Sequence, residues 1–139
     1  MDCSAEERFV RSFVVKERQE RLLYELTRPK KRYDGLSRFC HTAEQLLDRR
    51  RILLSGTDLY RQEAFWRFLA DHDGPCRILS PDPRLDGEAT ANAADAVLLA
   101  RQSMDAAILL GGHFAVVQSE IMRAGQEKYL LCDEIKKGR

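Results

Sequence analysis

The sequence is poor in the residues that most chemistry depends on. It has three histidines, four cysteines and four prolines in 139 residues. No apolar run approaches the ~20 residues that a membrane span requires. The cysteines, Cys3, Cys40, Cys76 and Cys132, include no CxxC pair, so the spacing of a zinc site is missing. His41, His72 and His113 come without HExxH, and no serine sits in GxSxG. There is no GxGxxG, and Ser55-Gly56-Thr57-Asp58 lacks the GK[ST] ending of a phosphate-binding loop. No repeat, low-complexity tract or linker interrupts the chain. Met1 to Glu7 is acidic and polar, which is not a secretory signal, so a cytoplasmic location with reduced thiols is expected. Neither a metal nor a cofactor is expected from these patterns.

What is present belongs to a folded domain. Hydrophobic residues make up 44% and charged residues 32%. This length suits one domain, 1–139, built from a helical segment (1–48), a sheet segment (49–133) and a polar tail (134–139). The formal net charge is +1, with net +4 over residues 1–51 and net −3 over the rest. That mild asymmetry permits an anionic partner without demanding one.

Glu6 to Thr27 has no Gly or Pro and reads as one long helix. Its apolar residues fall on two sides. Phe9, Val10, Phe13, Val14 and Tyr24 form one cluster, and Val15, Leu22, Leu23 and Leu26 lie nearly opposite. A helix apolar on two sides is either sandwiched in the fold or shared with another chain. Between the clusters, Lys16 to Arg21 is polar throughout and must meet water. Pro29 starts a second helix to about Phe39, with Tyr33, Leu36 and Phe39 inward. Thr42 and Gln45 have capping-box spacing for a short third helix.

The period then changes. Arg51–Ser55 reads as a strand, followed by a helix to His72 that Thr57 or Asp58 can cap. Cys76–Leu79 is a second strand and Glu88–Gln102 a helix. Ala106–Leu110 is a third strand, and Gly111-Gly112 turns it into Phe114–Ile121. Gly125 marks another turn before Lys128–Cys132. The expected fold is α/β (mixed α+β): a helical N-terminal third, then one mixed sheet of about five strands, β-α-β-α-β-β-β, with helices packed on it. Strands joined through helices should be parallel.

Parallel middle strands would deliver three loops to one edge of the sheet. There Ser55, Gly56 and Thr57 could present N–H groups to a phosphate, while Asp58, Asp82 and Asp86 could hold a divalent cation. His113 is the candidate acid or base. These same residue types also serve as ordinary caps and turns. A second candidate is the basic segment Arg28, Lys30, Lys31 and Arg32 with Arg38, which could neutralise nucleic-acid phosphates. A third is the cluster Phe9, Val10, Phe13 and Val14 as a contact surface for a second copy or another protein. The leading expectation is a non-catalytic binding or regulatory protein, a homodimer through its first helix. The alternatives are an enzyme or ligand-binding domain at the strand-end edge, and a nucleic-acid binder.

Overall fold

The computed structural model describes residues 4–103, 105–122 and 125–133. The expected polar tail lies outside the described residues, and Gly125, expected to mark a turn, is instead the first residue of the last strand.

The long first helix is two helices. α1 (Ser4–Phe13) and α2 (Lys16–Leu26) are separated at Val14 and Val15. Val14 forms an antiparallel bridge with Leu47. Val15 N–H donates to the Leu46 carbonyl at 2.8 Å, and Asp48 N–H donates to the Phe13 carbonyl at 2.7 Å. Gln19 Nε2 caps the break, donating to the Val14 carbonyl at 2.9 Å. The two-sided apolar pattern follows from this break. Each helix has one buried face, and carrying a single 100° wheel through the break makes the faces look opposed.

α3 (Pro29–His41) starts on proline at its first position, and α4 (Ala43–Leu46) follows it. No capping box forms, because the Thr42 hydroxyl donates back to the Arg38 carbonyl at 2.8 Å. Tyr33 is exposed rather than inward. Arg32 instead shares the inward side of α3 with Leu36 and Phe39.

Among the described residues, six strands form one open sheet: β1 (Ile52–Ser55), β2 (Cys76–Leu79), β3 (Ala89–Thr90), β4 (Ala107–Leu110), β5 (Phe114–Met122) and β6 (Gly125–Cys132). Their order is β1-β6-β5-β4-β2-β3. Every neighbouring pair is antiparallel, which corrects the expected parallel middle. β3 is the cause. The helix expected from Glu88 is really β3 followed by α6 (Ala93–Ser103). That extra pass across the sheet returns the chain to the opposite end before β4 begins. α5 (Glu63–Asp71) lies between β1 and β2, which share a direction but not a border.

Helices cover both faces. Ile108, Leu110, Ala115, Val117, Tyr129 and Leu131 meet α1–α4. Ala107, Leu109, Phe114, Val116 and Leu130 meet α5 and α6. Alternate residues of each strand thus enter alternate cores, the period of two expected of a pleated strand. The β4–β5 hairpin is tight. Gly111 N–H donates to the Phe114 carbonyl at 2.9 Å. A Cβ on Gly111 would lie 2.3 Å from Cε1 of Phe114, so the ring occupies the space a side chain would need. The rims of the sheet are short. β3 has two residues, and β1 carries an irregularity between Ile52 and Leu54 that leaves Leu53 51% exposed.

Phe9, Val10, Phe13 and Val14 are all buried in the helical-side core. Phe9 packs edge-on against Phe39 with ring centroids 5.8 Å apart. This corrects the expected contact surface on the first helix, since the chain's own core has taken those side chains. No described helix is long and apolar enough to cross a membrane.

Candidate functional site

The loops expected to converge do not. Ser55, Gly56, Thr57 and Asp58 leave β1 at one rim of the sheet. Asp82 and Asp86 leave β2 at the same end, but four strand spacings away, about 19 Å at the usual inter-strand distance. His113 lies in the β4–β5 hairpin at the other end, 3.5 Å from a carboxylate oxygen of Asp133. The structure therefore does not gather these residues into one pocket. Among the described residues, no group of three or more His, Cys, Asp or Glu is placed to hold a metal ion.

Each of these residues has local structural work. Gln62 Nε2 donates to Asp58 Oδ1 at 3.0 Å and to the Ser55 carbonyl at 3.2 Å. Gly56 has φ +135°, a conformation that suits glycine, and its N–H donates to the Lys128 carbonyl. Asp82 accepts from Arg84 Nη2 at 3.1 Å. Hydrogen bonds from Arg84 hold the Asp82 carboxyl at about 2, below the usual range.

Arg32 is the centre of a half-buried charge cluster. Its Nε and Nη2 donate to Asp86 at 2.8 and 3.0 Å. Its Nη1 and Nη2 donate to Glu6 at 2.9 and 3.0 Å, and Nη1 also reaches the Leu26 carbonyl at 3.0 Å. Those bonds occupy all five guanidinium donors. Asp86, and then Glu6, keep this guanidinium charged well beyond its ordinary value. One side chain thereby ties α1, the end of α2, α3 and the β2–β3 connection together, and it is not available to phosphate.

The rest of the basic segment divides. Arg28 lies over the Tyr24 ring at 4.3 Å. Lys30 and Lys31 are exposed at the start of α3. Arg38 faces a groove that sequence reasoning missed.

That groove, with a volume of about 230 Å³, runs between α2, α3 and α4. Arg18, Arg21, Leu22 and Glu25 line it from α2 at helical spacing i, i+3, i+4, i+7. Gly35, Arg38, Phe39 and Thr42 line it from α3 and its end at the same spacing. Leu46 and Gln45 close one end. Leu22 and Phe39 are core residues, so the floor is apolar and the rim is cationic. Glu25 is buried at the middle. Arg38 Nη1 donates to both its carboxylate oxygens, at 2.8 and 2.7 Å, and Arg21 Nε lies 3.6 Å away. Three arginines against one glutamate leave the lining at net +2. Gly35 sets the helix separation: a Cβ there would sit 2.8 Å from Cβ of Glu25. The legible signal was Arg18 and Arg21 recurring beside Leu22 within a charged stretch that had to meet water.

A second cavity, of about 250 Å³, lies on the opposite side of α2, where Glu6, Glu7 and Glu20 line it. Its carboxylates are already engaged: Arg11 bonds Glu20 at 2.7 Å and Arg32 bonds Glu6.

A buried polar network under α6 was also missed. Tyr60 hydroxyl donates to Gln118 Oε1 at 2.7 Å, and Gln118 Nε2 donates to the Ala100 and Asp105 carbonyls at 3.0 and 2.6 Å. Lys128 Nζ donates to the Thr57 carbonyl at 2.9 Å and lies 5.2 Å from the Tyr60 ring centroid. Burial pushes the Lys128 ammonium down and the Tyr60 phenol up. The network joins β5 and β6 to the β1 loop, a structural role. Comparison with known protein families, with curated proteins and with solved structures finds no match to this chain.

Proposed function

We propose that this chain is a non-catalytic binding protein whose groove between α2, α3 and α4 takes a small organic anion with an apolar body. The observation that carries the reading is the pairing of an apolar floor with three guanidiniums around one buried carboxylate. Guanidinium forks match carboxylates and phosphates, while the floor favours a ligand that also buries carbon. The volume is below that of a drug-sized site, which points to a short chain or a single ring.

This reading ranks above nucleic-acid binding through Arg28, Lys30, Lys31, Arg32 and Arg38. Arg32 is consumed by Glu6 and Asp86, and Arg28 lies over the Tyr24 ring, so the basic segment does not present one continuous cationic face. It ranks above an enzyme at the strand-end edge, because Asp58, Asp82 and His113 are dispersed.

The test is NMR titration at low ionic strength with hexanoate, benzoate and inorganic phosphate. Hexanoate or benzoate should shift Leu22, Gly35 and Thr42 amides saturably, and Arg18→Ser with Arg21→Ser should weaken binding by at least about tenfold, the effect of losing charge-assisted bonds. Absence of saturable shifts for all three anions at millimolar concentration refutes the proposal. Tight binding of a single-stranded oligonucleotide with steep salt dependence would favour the nucleic-acid reading.

A further inference from the structure

We infer that Glu25 is a resident counter-ion of the groove, and that it sets the anion affinity by competing with the incoming ligand for Arg38 and Arg21. The inference rests on the groove being an anion site and adds how that site is regulated.

The contact geometry is the first argument. A carboxylate that fully satisfies a guanidinium takes two parallel bonds from two nitrogens. Glu25 does not. Both of its oxygens accept from the same atom, Arg38 Nη1, which leaves the Nε and Nη2 donors of Arg38 outside the pair. Arg21 stands at 3.6 Å, in ion-pair range but beyond a hydrogen bond. Glu25 thus partly neutralises two arginines while leaving donors for a second carboxylate.

Burial is the second argument. The Glu25 side chain is 9% exposed, whereas Arg38 and Arg21 are 48% and 68% exposed. The negative charge is the fixed, poorly solvated member of the group and the positive charges are the accessible ones. An anion entering the groove meets the repulsion of Glu25 at short range, where solvent screens it least. Gly35 is the third argument. Its missing side chain is what lets Glu25 lie between the helices, since the Oε1 atom sits 3.2 Å from where a Cβ would be.

The test compares hexanoate binding to the wild type, Glu25→Gln and Glu25→Asp at low ionic strength. Glu25→Gln keeps an oxygen to accept from Arg38 and removes the charge. It should bind hexanoate about tenfold more tightly, whereas Glu25→Asp should stay near wild type. If the wild type binds and Glu25→Gln binds no better, the inference is overturned and the anion site stands. If neither binds, both fall. A direct reading on the wild type covers a variant that fails to fold. Saturation with hexanoate should shift the Glu25 Cδ and Arg38 Nε resonances, and unchanged resonances in the bound state overturn the competition.

Discussion

Arg32→Met would remove the hub that joins three helices and the β2–β3 connection. The side chains of Arg32, Glu6 and Asp86 are 17%, 5% and 22% exposed, so solvent screens the cluster weakly. Deleting the cation leaves two carboxylates with no shared partner and also frees the Leu26 carbonyl. Breaking a buried ion pair from one side costs about 3–5 kcal/mol. Domains of this kind have about 5–15 kcal/mol in total, so the variant should lose a large fraction of its stability. For a chain of this length the loss corresponds to a fall in Tm of roughly 10–20 °C. Urea unfolding followed by circular dichroism measures it, with Lys31→Ala as a control that should change stability by no more than about 0.5 kcal/mol. The triple variant Glu6→Gln, Arg32→Met, Asp86→Asn should recover part of the loss, because neutral replacements of a buried ionic cluster are often tolerated. A loss under about 1 kcal/mol for Arg32→Met would refute the reasoning and return Arg32 to the surface patch.

Four further outcomes are expected. Gly111→Ala should cost about 1–3 kcal/mol, because the new Cβ displaces the Phe114 ring; a melting curve unchanged from wild type would count against that packing. Gln118→Ala should cost about 2 kcal/mol, since it orphans the Tyr60 hydroxyl and removes the bond to the Asp105 carbonyl, and hydrogen exchange should rise first at the end of α6. Stability should fall with alkali. Burial pushes the Cys76 thiol up to about 11 and the Tyr60 phenol higher still. The unfolded chain releases these protons first, so their contribution is complete below about pH 9 and is lost as pH rises from there. Denaturation midpoints at pH 8 and 10.5 check the sign. Phe13→Glu should unfold the protein rather than separate a dimer, because Phe13 is buried in its own protomer; a folded variant of altered sedimentation would contradict the core assignment.

Much of the element pattern was legible. Cys76–Leu79 and the Gly111-Gly112 turn are where the sequence put them, because a short apolar run between breakers has few other readings. Strand direction was not legible. Leu109 and Leu110 are both buried, on opposite faces, and such runs look the same in parallel and antiparallel sheets. Ala89–Thr90 is too short to show a period of two, and missing it inverted the inferred direction of β4. The break at Val14–Val15 was hidden because nothing there forbids a helix; a tertiary bridge to Leu47 overrides local preference. Arg32 read as part of a basic patch, because its partners Glu6 and Asp86 are 26 and 54 residues away in sequence. The anion groove was invisible for a related reason. Its arginines looked like a solvated face until Gly35 brought a second helix against them.

The stubby margins of the sheet have a consequence for how the molecule survives crowding. An invading strand needs a run of unpaired backbone groups to zip onto. At β3 it would find two residues, and at β1 the irregularity between Ile52 and Leu54 breaks the ladder. The apolar interior strands, which would be hazardous if bared, are thus kept from templating fibrils by margins too brief to copy.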